Sequence, residues 1–169
     1  HYQLFFNHRF NSRLAFNTAF FLTRGKGYYE NYKAGELFAD YRVNDFIAGN
    51  DTITETDLVR QLWLDNYYYG QIISLQYETK NGLLTAGGGW NRYDGNHYGE
   101  VIWANIGFPV KYRWYDLDAR KSDANVYTKY QHKISNHLEI FGDVQYRRVD
   151  YNIGGFRKNP TLQIHNIYN

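Results

Sequence analysis

Cysteine and methionine are both absent from the 169 residues. Without cysteine there is no disulfide framework and no thiolate metal site. No run of about 18 apolar residues occurs, which excludes a membrane-spanning helix. Helix signals are sparse, with little apolar recurrence at a period of 3.6 and few capping boxes. A net charge of +2 is too small to point to nucleic acid. Catalytic signatures are missing as well. No G-x-S-x-G surrounds any serine, no GK[ST] follows a glycine run, and no histidine pair has zincin spacing. We therefore expect no enzyme and no cofactor. The first residue is His1, and no basic-plus-apolar leader precedes the first strand-like segment. The expectation is a single segment, 1–169, of a longer chain.

Aromatic side chains are abundant instead. They make up 20% of the chain, with 18 Tyr and 11 Phe. The mean hydropathy of −0.67 hides them, because tyrosine scores as polar. Their spacing is that of strands. Tyr2, Leu4, Phe6 and Phe10 share a face opposite Gln3, Asn7 and Arg9. After the turn residues Asn11-Ser12, Leu14, Phe16, Thr18, Phe20 and Leu22 share a face. A second hairpin places Tyr69, Ile73, Leu75 and Tyr77 together, turns at Lys80-Asn81-Gly82, and returns through Leu84, Ala86, Gly88 and Trp90. A third places Val126, Thr128 and Tyr130 together, turns at Ser135-Asn136, and returns through Leu138, Ile140, Val144 and Tyr146.

Six strands of about ten residues result, the length a tilted strand needs to cross a bilayer. Short connections (11–12, 79–82, 135–136) alternate with long ones (24–66, 93–123). Outer-membrane barrels have that asymmetry, with short periplasmic turns and long extracellular loops. The expected fold is all-β: antiparallel transmembrane strands of a larger barrel, in the bacterial outer membrane, in contact with lipid and lipopolysaccharide. A soluble sandwich with an aromatic binding face is the competing reading. Tyr28, Tyr29, Tyr67 and Tyr146 are expected near the interfacial aromatic girdle. The run Gly87-Gly88-Gly89 predicts close approach of a neighbouring backbone and local curvature.

Three stretches carry a family resemblance. Thr23-Arg24-Gly25-Lys26-Gly27-Tyr28-Tyr29-Glu30 leaves one strand, and Leu58 to Gly70, including Trp63-Leu64-Asp65-Asn66-Tyr67-Tyr68-Tyr69, enters the next. Gly87 to Trp103 leaves that one. Together they resemble the barrel of TonB-dependent receptors of the Bacteroidetes type. The resemblance implies a barrel of about 22 strands, an N-terminal plug, and energised uptake of a siderophore, vitamin or glycan. It also implies a TonB complex as partner, and a surface lipoprotein is a further candidate partner at 25–57 and 93–123. The plug, the TonB box and the signal peptide are not among these residues.

Ligand binding is expected at the long loops, through Tyr28, Tyr29, Trp63, Tyr93, Asp94, His97, Tyr98 and Trp103. Aromatic faces interspersed with Asp and Asn suit sugars or flat organic molecules. Asp94, His97 and Glu100 hold oxygen and nitrogen donors, but match no strong metal pattern. Locally hydrogen-bonded turn positions explain them as well. Segment 25–57 has three basic and seven acidic residues, which disfavours a strongly anionic ligand there. The alternative function is a non-transporting β-protein, either a lectin-like module or an outer-membrane scaffold.

Overall fold

The computed structural model describes all of residues 1–169. Its strands are β1 (Tyr2–Arg9), β2 (Leu14–Leu37), β3 (Phe46–Ala48), β4 (Asp51–Ile53), β5 (Glu55–Thr79), β6 (Gly82–Ala104), β7 (Tyr112–Lys133), β8 (Glu139–Ile153) and β9 (Ile164–Tyr168). A single 3₁₀ turn, Phe38–Tyr41, follows β2. Seven strands form one antiparallel sheet in the order β1-β2-β5-β6-β7-β8-β9, and β3-β4 is a small separate hairpin. The sheet is an open meander with β1 and β9 at its edges.

The strands run far beyond the ten-residue spans expected from alternation. β2 has 24 residues and β5 has 25, each about 80 Å long at the usual rise. Residues 24–37, 55–66, 93–104 and 112–123, expected as loop, are ladder. Pairing continues unbroken from Leu14↔Tyr77 to Lys33↔Leu58. The pattern fails to show this because from Arg24 to Lys33 both faces of β2 carry only glycine, polar or aromatic residues. Alternation reports burial contrast, not hydrogen bonding. The true long connection, 38–54, contains the 3₁₀ turn and the small hairpin.

The tight turns stand where expected. Asn11 Oδ1 accepts from the backbone N–H of Arg13 and Leu14 at 2.8 and 2.9 Å, an Asx turn. Lys80-Asn81 joins β5 to β6 in two residues. These turns fix the register, and register fixes the faces.

One face of the lower half is free of charge. It comprises Tyr2 to His8 on β1, Leu14 to Leu22 on β2, Tyr69 to Tyr77 on β5, Leu84 to Trp90 on β6, Ala124 to Tyr130 on β7 and Ile140 to Tyr146 on β8, taking alternate residues. No Asp, Glu, Lys or Arg occurs among them. The opposite face of the same strands carries Arg9, Asn17, Gln76, Lys129 and Asp143, with Lys129 Nζ 3.7 Å from Asp143. Charge begins at the upper end of these rows on the same face, where Arg92 shares the row of Leu22 and Tyr69 and Arg148 that of Phe20 and Trp90. Lys26 pairs with Asp65 at 3.3 Å, and Arg24 pairs with the same carboxylate. Asp94 pairs with Arg92 at 2.9 Å and with Arg120 at 3.4 Å.

The packed core lies elsewhere, on the mixed face at the upper end. Tyr41, Leu58, Leu62, Val101, Trp114, Tyr115 and Leu117 form it. The 3₁₀ turn folds Phe38 and Tyr41 over β5, β6 and β7, and Tyr41 meets Trp114 with ring centroids 5.0 Å apart. The lower apolar face has no such cover: Val126 is 60% and Val144 72% exposed.

The glycine run allows the expected close approach. A Cβ on Gly87 would stand 2.6 Å from the Ile73 carbonyl oxygen of β5, and one on Gly88 would stand 2.3 Å from that of Asn125 on β7. β6 is therefore squeezed from both sides. The girdle tyrosines differ from expectation. Tyr28 and Tyr29 lie rows above the apolar band, whereas Tyr77 and Tyr130 bound it below and Tyr69 and Trp90 above.

Candidate functional site

The upper half of the sheet divides the sequence candidates between its two faces. Tyr28, Trp63 and Tyr98 fall in one row across β2, β5 and β6, on the face that is apolar lower down. Trp63 and Tyr98 stack, with ring centroids 5.6 Å apart, and Tyr28 meets Trp63 at a tilt of 45° with centroids 4.4 Å apart. The Arg113 guanidinium lies 3.8 Å above the Tyr98 ring, a cation–π contact. Asp94 is two rows lower on this face and accepts from Tyr69 Oη at 3.1 Å. Trp103 sits near the end of β6, opposite Val59 beyond a bulge at Val59/Arg60, and is 50% exposed.

Tyr29, Tyr93 and His97 point to the other face. All eight candidates are strand residues, not loop residues. His97 is separated by the sheet from Asp94 and Glu100, because successive side chains alternate. That removes the three as a joint cation site, and Asp94-Gly95-Asn96 is mid-strand rather than a turn. Glu100 is instead 2.9 Å from Arg113.

Tyr93 Oη lies 2.9 Å from His97 Nε2. Burial depresses the imidazole below its ordinary 6.5 and raises the Tyr93 phenol. Both are neutral at neutral pH, so this corner is polar without charge. His97 lines a cavity of about 460 Å³ whose walls are chiefly Tyr29, Leu62, Leu64, Tyr115, Ile153 and Phe156. It has a ligand-sized volume and the apolar lining usual for organic molecules. Phe156 and Arg157 come from the connection between β8 and β9. No periodicity marks that stretch, so sequence reasoning missed it. Leu58, Leu62 and Leu64 did carry a period-two signal.

A polar cluster stands at the top of the same face. Tyr41 Oη donates to Glu36 Oε2 at 2.6 Å and accepts from Arg60 Nη1 at 2.7 Å. Arg60 also reaches Glu36 at 3.2 Å. Burial, with Glu36 accepting its proton, holds the Tyr41 phenol well above its ordinary 10.0. The folded-state value exceeds the unfolded one. Its contribution to stability is therefore complete below pH 10.0 and is lost as pH rises through the folded value. Tyr41→Phe should cost about 1–2 kcal/mol at neutral pH. It should also flatten the alkaline limb of stability. Urea unfolding at neutral pH and above pH 10.0 measures both, and an unchanged alkaline limb would refute the assignment.

The acidic excess of 25–57 does not set the field on this face. Asp57 is engaged by Tyr32 Oη and the Gly35 N–H, and Glu36 by Arg60. Cations from the distant residues Arg157 and Lys158 join Arg42 and Arg60 around one cavity. These cations offset Glu36 and Asp40 at that cavity. Comparison with family models, with curated proteins and with solved structures returned no match.

Proposed function

We propose that the chain forms part of the wall of an outer-membrane β-barrel receptor of the TonB-dependent kind, binding a scarce nutrient on its outer side for energised import. The observation that carries this reading is the charge-free face of the lower half. A water-soluble sheet leaves no apolar area of that extent uncovered, since patches beyond a few hundred Å² mark interaction surfaces. In hydrocarbon the same face is at its lowest free energy. The rows from Leu14 to Leu22 rise about 25–30 Å along the strand, the scale of a barrel's apolar band once tilted. Tyr69 and Trp90 above, with Tyr77 and Tyr130 below, take the place of the two aromatic girdles. The ion pairs of Arg24, Lys26, Arg92 and Arg120 lie at headgroup level, where lipopolysaccharide offers anionic groups.

The mixed face then lines a wet lumen, and its polar side chains meet water or a plug. Hydrocarbon tolerates no unpaired backbone, so the edge at β1 and the part of β8 below Val149, which β9 does not reach, are joined by further strands. The small hairpin β3-β4 and the 38–54 connection project from the outer end. That is the surface a lipoprotein partner would meet, and the TonB complex would act on the plug.

A second reading rests on the row Tyr28–Trp63–Tyr98, whose open end at Tyr28, with Trp63 half-buried and Tyr98 buried behind it, suits the flat face of a sugar ring. It fits a glycan among the nutrients, and also a lectin-like module without transport. Cell fractionation of the full-length protein, followed by gel mobility before and after boiling, separates the two. We expect outer-membrane recovery and a heat-dependent shift. A soluble protein without a shift would sink the receptor reading and leave the lectin-like one.

A further inference from the structure

The cavity at the top of the mixed face has an unusual charge balance. Four cations, Arg42, Arg60, Arg157 and Lys158, line about 470 Å³ against the carboxylates Glu36 and Asp40. Glu36 is committed to Arg60 and Tyr41. Arg42, Arg157 and Lys158 make no ion pair within the chain. Arg60 is mostly buried, with its side chain 14% exposed, and its Nε is enclosed with no hydrogen-bond partner. A buried donor without an acceptor is costly, and a guanidinium carries five donors in a fixed fork that matches oxyanions.

This basic cavity adjoins the apolar one. Arg157 lines both, and Trp114 of the basic cavity meets Tyr115 of the apolar cavity with ring centroids 5.1 Å apart. One continuous surface therefore presents a cationic end and an aromatic end. Either end alone would be unremarkable as a feature of a protein surface. Joined through one arginine, they select a molecule with both parts.

We infer that the two cavities form a single site for a small organic oxyanion, a phosphate or carboxylate carried on an aromatic or apolar body. The oxyanion sits among Arg42, Arg60, Arg157 and Lys158. The body lies against Tyr29, Leu62, Leu64, Tyr115 and Phe156. Of the row Tyr28–Trp63–Tyr98 on the other side of the sheet, only Trp63 contributes to the cavity lining, and Tyr28 and Tyr98 are no part of this site. The inference rests on the receptor reading for the ligand's fate, that is import, but not for its binding.

Calorimetric titration of the full-length protein in nonionic detergent, against a micelle blank, tests it with three probes: 1-naphthyl phosphate, 1-naphthol and inorganic phosphate. Naphthyl phosphate should bind at least about tenfold tighter than either part alone, the scale of one charge-assisted bond. Arg157→Gln and Lys158→Gln should each weaken it about threefold to tenfold and leave naphthol unchanged. Both side chains are exposed, so the fold should survive, which the boiled and unboiled mobility of each variant checks. Equal affinity for naphthol and naphthyl phosphate, or variants that bind as the parent does, would overturn the site. Discrimination by a protein that is soluble and shows no mobility shift would keep the site and remove the receptor. A heat-shifted outer-membrane protein that does not discriminate would do the reverse.

Discussion

Val144→Arg is expected to cost about 2–4 kcal/mol of folding free energy in lipid, the depth-dependent penalty for arginine on the outside of a barrel. Its neighbour supplies the control. Gln145→Arg, one residue along β8, should change stability by less than about 0.5 kcal/mol. Both positions are exposed, and both lie on the same strand. They differ in face: Val144 pairs with Thr128 in the charge-free rows, and Gln145 pairs with Tyr127 on the mixed side. Exposure to water alone would make the two substitutions equivalent. Urea-dependent refolding into phospholipid vesicles measures the difference. Equal costs would show that Val144 does not meet hydrocarbon, and the charge-free face would then need another occupant.

Gly88→Val should destabilise by about 3 kcal/mol, the upper end of the usual cost of overpacking. The added Cβ would meet the Asn125 carbonyl oxygen at 2.3 Å and the Val126 Cα at 3.2 Å. These are backbone atoms of β7, which can yield only by displacing the ladder. Gly142→Val is the matched test on the same face. Nothing lies within 4 Å of its Cβ, and a β-branched residue suits a strand. It should be neutral or mildly stabilising. The same vesicle assay, scored by the midpoint in urea, compares the pair. If Gly142→Val costs as much as Gly88→Val, backbone freedom rather than space explains the glycines.

The strands were legible in the lower half because there the two faces meet different surroundings, and Phe16 or Leu75 contrasts with Asn17 or Gln76. Turn chemistry added the register, since Asn11 and Lys80-Asn81 leave little choice of pairing. In the upper half the contrast disappears. Tyr28 and Tyr29 lie on opposite faces yet look alike in sequence, as do Trp63 and Leu64. Continuous ladder there reads as loop. The same ambiguity scatters the candidate residues: the sequence offers all eight as one set, whereas Tyr28, Trp63 and Tyr98 share one face and Tyr29, Tyr93 and His97 belong to the reverse side. Arg157 and Lys158 reach Arg60 only through the fold, across a sequence separation that no local pattern spans.

The placement of the tight turns bears on how the chain assembles. β1 with β2, β5 with β6, and β7 with β8 are joined at one end by connections of a few residues. Closing such short loops costs little entropy, so these three hairpins can zip independently from their turns. Joining β2 to β5 must await closure of the 38–54 connection, and joining β6 to β7 that of 105–111. Contact order is thus low within each hairpin and higher between them. The units that add to a growing wall are hairpins, each with its apolar side already sorted from its polar side before it meets its neighbour.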